Sequence, residues 1–170
     1  MRITETEFFT ELTDPKIPAM AAAKRAAEEG NLPQAEKLFA DYMRENLSPE
    51  TFFKIPYVRE WYPKEEDREK ILARADRILD GWVSSCGFPW HFEGGHVDWI
   101  TNRTPNGYRE WPWQLSRHGE FSGLAAAYLL TGDERYAARY VDMILSWIEQ
   151  AECPENASGF ATETWRTIEA

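Results

Sequence analysis

The residues from Trp111 to Glu120, WPWQLSRHGE, mix groups that can hold a ligand with groups that can only pack. Trp111 and Trp113 flank Pro112, and Gln114, Arg117 and His118 follow before a long apolar run begins at Phe121. A guanidinium grips a carboxylate or sulfate through paired N–H donors. An amide both donates and accepts, and an indole offers a flat apolar face with one donor. Together these suit a sugar ring that carries an acidic group. A second set lies upstream in HFEGGHVDW, where His91, Glu93, His96 and Asp98 could approach a cation. The glycines between them imply a loop, and neither cysteine is near, so no metal is expected. No Gly-rich phosphate loop, GxSxG elbow or Cys/His nucleophile signature occurs.

These residues must be positioned by helices. A helix over 113–130, turning about 100° per residue, puts Trp113, Arg117, Phe121, Leu124 and Tyr128 on one stripe. Gln114 and His118 fall on the adjacent stripe. Arg117 then points to the side of the aromatic core and has two fates. It is buried against a carboxylate of another helix, or it lines a cavity at the helix's N-terminal mouth, where dipole and guanidinium both attract an anion. His118 alone reads as a packing or hydrogen-bonding histidine. The pair Asn102–Arg103 reads either as a cleft contact or as an exposed turn.

The rest of the chain is mostly helical in pattern. An alanine-rich stretch from Lys16 ends near Gly30, and Pro33 opens a second helix containing Ala35, Leu38, Phe39, Tyr42 and Met43. Residues 48–63 are broken by prolines and read as a turn plus a connector. A third helix carries Ile71, Leu72, Ala75, Ile78, Leu79 and Trp82, with Glu65, Glu66 and Asp67 in its first turn. Residues 84–113 hold four Gly, three Pro and two Asn and lack a long period. Such a connection is too long for a compact domain unless it does something, and short strands are possible at Trp90–Phe92 and Val97–Ile100. A helix over 133–152 follows the one over 113–130, and TETWRTIEA looks like the start of another. The architecture is all-α, built of helical hairpins with a long irregular loop. It divides into a helical lead-in over 1–80, a Trp-rich segment over 81–112 and a helical hairpin over 113–170.

Composition narrows the partners. The 170 residues carry a formal charge of −10, which argues against nucleic acid or an anionic membrane surface. No apolar run is long enough to span a bilayer. The N-terminus lacks a signal pattern, so the expected location is cytoplasmic, or periplasmic or secreted if a signal was removed. Two cysteines make no disulfide framework. Aromatics are 14% of residues, and five of the eight tryptophans lie between Trp82 and Trp113. Aromatics concentrated on a loop suggest a platform for ring-shaped ligands such as sugars.

The stretch WPWQLSRHGEFSGLAAAYLLTGDERYAARYVDMILSWI, followed closely by WRTIEA, resembles the N-terminal helical region of the heparinase II/III family of polysaccharide lyases. The match rests on Trp-Gln-Leu-x-Arg at the helix head, the TGDERYA hairpin, Trp147 near the end of the next helix, and the closing Trp165-Arg166 motif. GFPWHFEGGHVDWITN also resembles the family's preceding segment. The resemblance is good over about residues 80–170 and only general before them. It implies a toroid of α-hairpins, usually followed by a β-sandwich, that cleaves acidic polysaccharide by β-elimination at a uronic acid. In such enzymes an Asn neutralises the carboxylate, a Tyr or His removes the C5 proton, and a Tyr protonates the leaving oxygen. No residue here matches those groups. The resemblance therefore implies the N-terminal portion of a longer enzyme, catalytically inert by itself and needing no cofactor, whose partners are an acidic polysaccharide or oligosaccharide and the C-terminal remainder of the same enzyme. The residues expected to form one wall of the cleft are Asn102, Arg103, Trp111, Trp113, Gln114, Arg117, His118, Trp165 and Arg166. Exposed apolar faces on an incomplete ring would favour a homodimer. The alternative is a protein-interaction module. AAAKRAAEEGNLPQAEKLFADYM resembles one tetratricopeptide unit, but it occurs once, and such repeats need several copies to bury a core.

Overall fold

A computed structural model describes residues 3–48, 53–54, 59–60 and 62–152. The chain forms two compact units, Met1–Tyr62 and Pro63–Ala170.

The first unit opens with a single turn, α1 (Glu5–Glu7), which continues as a π-helical turn over Phe8–Leu12. Thr4 caps it reciprocally. The Thr4 N–H donates to the Glu7 carboxylate at 2.7 Å, and the Glu7 N–H donates to Thr4 Oγ1 at 3.2 Å. Helices α2 (Pro18–Glu28) and α3 (Leu32–Asn46) form the expected hairpin. Gly30 takes the left-handed conformation (φ 78°) that ends α2, and the Asn31 side chain accepts from Gln34 N–H to start α3. Ala23, Ala26, Ala27 and Ala35 are buried where these helices meet, and Phe9 closes the same core. Phe8, Phe9 and Phe39 pack edge to face against one another there.

The second unit holds the candidate site. Helix α4 (Arg68–Leu79) is entered through a 3₁₀ turn at Glu65–Asp67. It stops sooner than its apolar pattern suggested. Gly81 lies at φ 95°, and a Cβ there would stand 2.4 Å from the Phe92 carbonyl oxygen. Only glycine allows this close approach, and it turns the chain from helix into strand. Trp82 therefore starts β1 (Trp82–Ser85), which pairs antiparallel with β2 (Phe88–His91) across a turn at Cys86–Gly87. Both turn residues have positive φ, as a two-residue hairpin of this twist requires. The strand expected at 90–92 thus begins two residues earlier, at Phe88, and ends one residue earlier, at His91. Residues 97–100 form no strand.

The irregular stretch that follows is fastened by side chains rather than by ladders. Helix α7 (Glu134–Gln150) supplies them. Gln150 Nε2 donates to the Val97 carbonyl at 2.9 Å, and the Trp99 N–H donates to Gln150 Oε1 at 3.2 Å. Trp99 Nε1 donates to Ser146 Oγ at 3.3 Å, and Arg139 donates to the Gly95 carbonyl at 2.6 Å. Two short helices precede α7: α5 (Glu110–Leu115) and α6 (Gly119–Thr131). Left-handed Gly132 and the Asp133 cap turn α6 into α7. The core gathers Ile78 of α4, Val83 of β1, Trp99 and Val97 of the loop, Trp111 and Leu115 of α5, Leu124 of α6, and Tyr136 and Met143 of α7. Tyr136 also donates to Asp76 at 2.8 Å, tying α7 to α4. Among the described residues no helix is long and apolar enough to cross a membrane.

Candidate substrate-facing site

The helix expected over 113–130 is two helices. Ser116 N–H still donates to the Pro112 carbonyl at 3.0 Å. The next two amides reach back only three residues, Arg117 to Gln114 at 3.2 Å and His118 to Leu115 at 3.0 Å. His118 then adopts the left-handed conformation (φ 57°, ψ 39°), and Gly119 begins α6. A single stripe through Trp113, Arg117 and Phe121 cannot survive that break. Phe121 is buried, while Arg117 is exposed. The inward-pointing Arg117 inferred from helical phase is therefore corrected: the backbone at His118 resets the phase.

His118 is held in this conformation by rings. Its imidazole stacks on Phe121 with centroids 4.5 Å apart and planes 9° apart. Trp147 meets it edge-on at 4.7 Å, and Trp99 at 5.6 Å. Nδ1 is buried and has no hydrogen-bond partner. Burial pushes the imidazole pKa below its ordinary value, because the charged form loses water and gains no partner. This histidine packs among three rings.

The other expected residues divide by exposure. Trp111 is 0% exposed, and its Nε1 donates to the Phe88 carbonyl at 3.1 Å. Its ring leaves no face for a ligand. Trp113 and Gln114 are half-buried, and Gln114 Nε2 donates to the Glu110 carboxylate at 3.3 Å. Asn102 works on the loop itself. Its Nδ2 donates to the Tyr108 carbonyl at 2.9 Å, and its Oδ1 accepts from Thr104 N–H and Oγ1 at 3.0 and 2.8 Å. Arg103 pairs with Asp98 and lies over the faces of Trp90 and Phe92, at 5.7 and 5.6 Å from their centroids. Burial pushes the Asp98 carboxyl up. Hydrogen bonds from Thr101 and Ile100, with the Arg103 charge, outweigh that and hold it below the usual carboxylate range. Asn102 and Arg103 thus lock the loop that delivers the chain into α5. Trp165 and Arg166 lie outside the described residues. Of the remaining expected residues, Arg117 is exposed, and Gln114 and Trp113 are half-buried.

A second feature of this unit carries no motif in the sequence. A cleft of about 620 Å³ runs between α4 and the β-hairpin, lined by Arg74, Arg77, Ile78, Trp82, Pro89 and Glu120 among others. Glu120 was legible as an acid opening an apolar helix. Such a buried carboxylate must be paired. It is 7% exposed, accepts from Arg74 at 3.1 Å and from the Ser84 N–H at 2.8 Å. His91, once weighed as a metal ligand, donates instead to the Asp80 carbonyl at 2.7 Å and stacks on Trp82. Among the described residues no group of three or more His, Cys, Asp or Glu is placed to hold a metal ion.

Comparison with known proteins places this arrangement. The family model for the heparinase II/III N-terminus matches residues 8–170. A heparin-sulfate lyase of Bacteroides stercoris is 28% identical over 154 residues, which are 86% of this chain and 21% of the relative. The crystal structure of the heparan sulfate lyase HepC from Pedobacter heparinus is similar in fold, with a TM-score of 0.63 at 22% identity, covering 87% of this chain and 23% of that one. A solved heparinase III gives a TM-score of 0.67 at 24% identity, covering 94% of this chain and 23% of that one. The helical fold is that of the matching part of these toroid-containing lyases. The chain spans about a fifth of the length of the curated relative. With the model matched over nearly all of its length, the chain belongs to the heparinase II/III N-terminus family.

Proposed function

We propose that this chain forms part of the substrate cleft of a lyase that cleaves uronic-acid-containing polysaccharide by β-elimination. In that reaction a base takes the proton at C5 while the neighbouring carboxylate is neutralised. The C4–O bond then breaks, and the leaving oxygen takes a proton, leaving an unsaturated uronate. The proton-transferring groups come from the remainder of the enzyme, so the chain alone binds and does not cleave. The observation that carries the reading is Arg117, turned to solvent at the head of α6 by the break at His118, in a member of this family. A guanidinium there meets a carboxylate or sulfate with paired donors, Gln114 offers hydrogen bonds to hydroxyls, and the exposed part of Trp113 packs on a ring face. The heparin-sulfate lyase relative points to a heparan-type chain as substrate.

Calorimetric titration of the chain with a heparan sulfate oligosaccharide tests this. Arg117→Ala is expected to weaken binding by about tenfold or more, the loss of one charge-assisted hydrogen-bonded pair, with an unchanged circular dichroism spectrum. No unsaturated uronate should accumulate. Unchanged affinity in Arg117→Ala, or binding to a peptide in preference to the saccharide, would overturn the reading.

A further inference from the structure

We propose that the cleft between α4 and the β-hairpin is a second binding site, one that takes a sugar unit carrying a carboxylate or sulfate group. The charges of its lining support this first. Arg74 is already neutralised, because its guanidinium lies 3.1 Å from the Glu120 carboxylate and also donates to the Gly119 carbonyl. The other Glu120 oxygen is taken by the Ser84 amide. Arg77 has no such partner. Among the described residues no carboxylate lies within ion-pair distance of it, and its guanidinium lies over the Trp82 ring, 5.0 Å from Cζ to centroid. The neighbouring acid Asp80 is turned to His91, with its carboxylate 3.8 Å from Nε2. In a chain of net charge −10, the cleft keeps one uncompensated positive charge.

The geometry supports it next. Trp82 is braced by His91, with ring centroids 4.8 Å apart and planes 24° apart, and His91 is itself fixed by the Asp80 carbonyl. A guanidinium resting on a braced indole is pre-organised, so few rotamers are lost when its edge N–H groups meet an anion. Ile78, Val83 and Pro89 supply apolar walls beside that charge. A ring with one acidic substituent matches this pairing, whereas a bare anion leaves the walls uncovered. The cleft shares no lining residue with Gln114 or Arg117, so the inference stands or falls apart from the reading of the mouth.

The test follows the Trp82 indole N–H and the Arg77 Nε–H by heteronuclear NMR on the whole 170-residue chain. The probes are methyl glucuronide, glucosamine 6-sulfate, methyl glucoside and inorganic sulfate. Both acidic sugars are expected to shift the two resonances with saturation, the neutral glucoside to leave them in place, and inorganic sulfate to bind more weakly than the sugar sulfate. Arg77→Gln should weaken both acidic sugars by about tenfold or more. Arg77→Lys, which keeps the charge and loses the fork, should lose most of the same affinity. The Arg117 resonance reports the mouth separately. Absence of shifts with either acidic sugar, equal shifts with the neutral glucoside, or undiminished binding in a folded Arg77→Gln chain would overturn the proposal. Inorganic sulfate binding as tightly as the sugar sulfate would overturn the role of the apolar walls.

Discussion

His118 decides where Arg117 goes. A non-glycine residue with left-handed backbone costs energy and persists only where its surroundings over-determine it. Here the surroundings are Phe121, Trp99 and Trp147, three rings around one imidazole. That cage has a pH signature. The folded-state pKa of His118 is depressed, so between it and the unfolded value of about 6.5 the unfolded chain binds the extra proton. The contribution is fully present above about pH 6.5 and is lost as pH falls through the folded value. Thermal melts between pH 7 and 5 should show falling stability. His118→Asn tolerates the left-handed backbone and carries no titrating ring, so it should flatten that slope; an equally steep slope in the variant would refute the assignment. Asp98 acts in the same direction at lower pH, since its folded pKa is also depressed. None of this was legible locally. Arg-His-Gly hints at a break, but two of the three rings that hold it, Trp99 and Trp147, lie 19 and 29 residues away in the sequence.

Elements were easier to read than their ends. The α2–α3 and α6–α7 hairpins follow from Gly30 with Asn31 and from Gly132 with Asp133, where a left-handed residue and a side-chain cap stand side by side in the sequence. Helix α4 was read through to Trp82 because its apolar period continues there, while the force that stops it is tertiary. The Phe92 carbonyl sits where any Cβ on residue 81 would be. Gly81→Ala should therefore cost more than about 1 kcal/mol, visible as a lowered denaturant midpoint; a neutral effect would show that the turn relaxes freely. The Trp-rich stretch reads as a loop that must do something, and part of what it does is fill the core. Trp111 was expected at the ligand and is instead fully buried on the hairpin. Trp111→Ala is predicted to destabilise the second unit by about 3–5 kcal/mol, the usual cost of removing a buried indole. A loss under about 1 kcal/mol would mean that the hairpin and α5 are not packed through this ring.

At the scale of the whole molecule, two surfaces of the second unit bear on association. One carries exposed Arg117, proposed above to meet the saccharide. The other is the outward row Val141, Leu145 and Ile148 on α7, exposed by 52, 58 and 51%. Three aliphatic side chains one turn apart on an exposed helix face are an association hazard. Light scattering should show an apparent mass that rises with concentration, and Leu145→Glu should suppress the rise; a monomer at every concentration would contradict the expectation. Family membership was legible before any coordinates, because TGDERYA, Trp147 and the Trp-Gln-Leu-x-Arg head occur in order at fixed spacing. The exposure of each tryptophan was not, because an indole on a loop packs inward or outward with the same sequence.

The most direct measurement is the map of amide and side-chain NMR shifts when the chain is titrated with a heparan sulfate tetrasaccharide. The account predicts saturable shifts that include Trp113, Gln114 and Arg117, growing weaker as salt is raised because the contact is ionic. Saturable binding that leaves those three residues unmoved, or no binding at low salt, would contradict it.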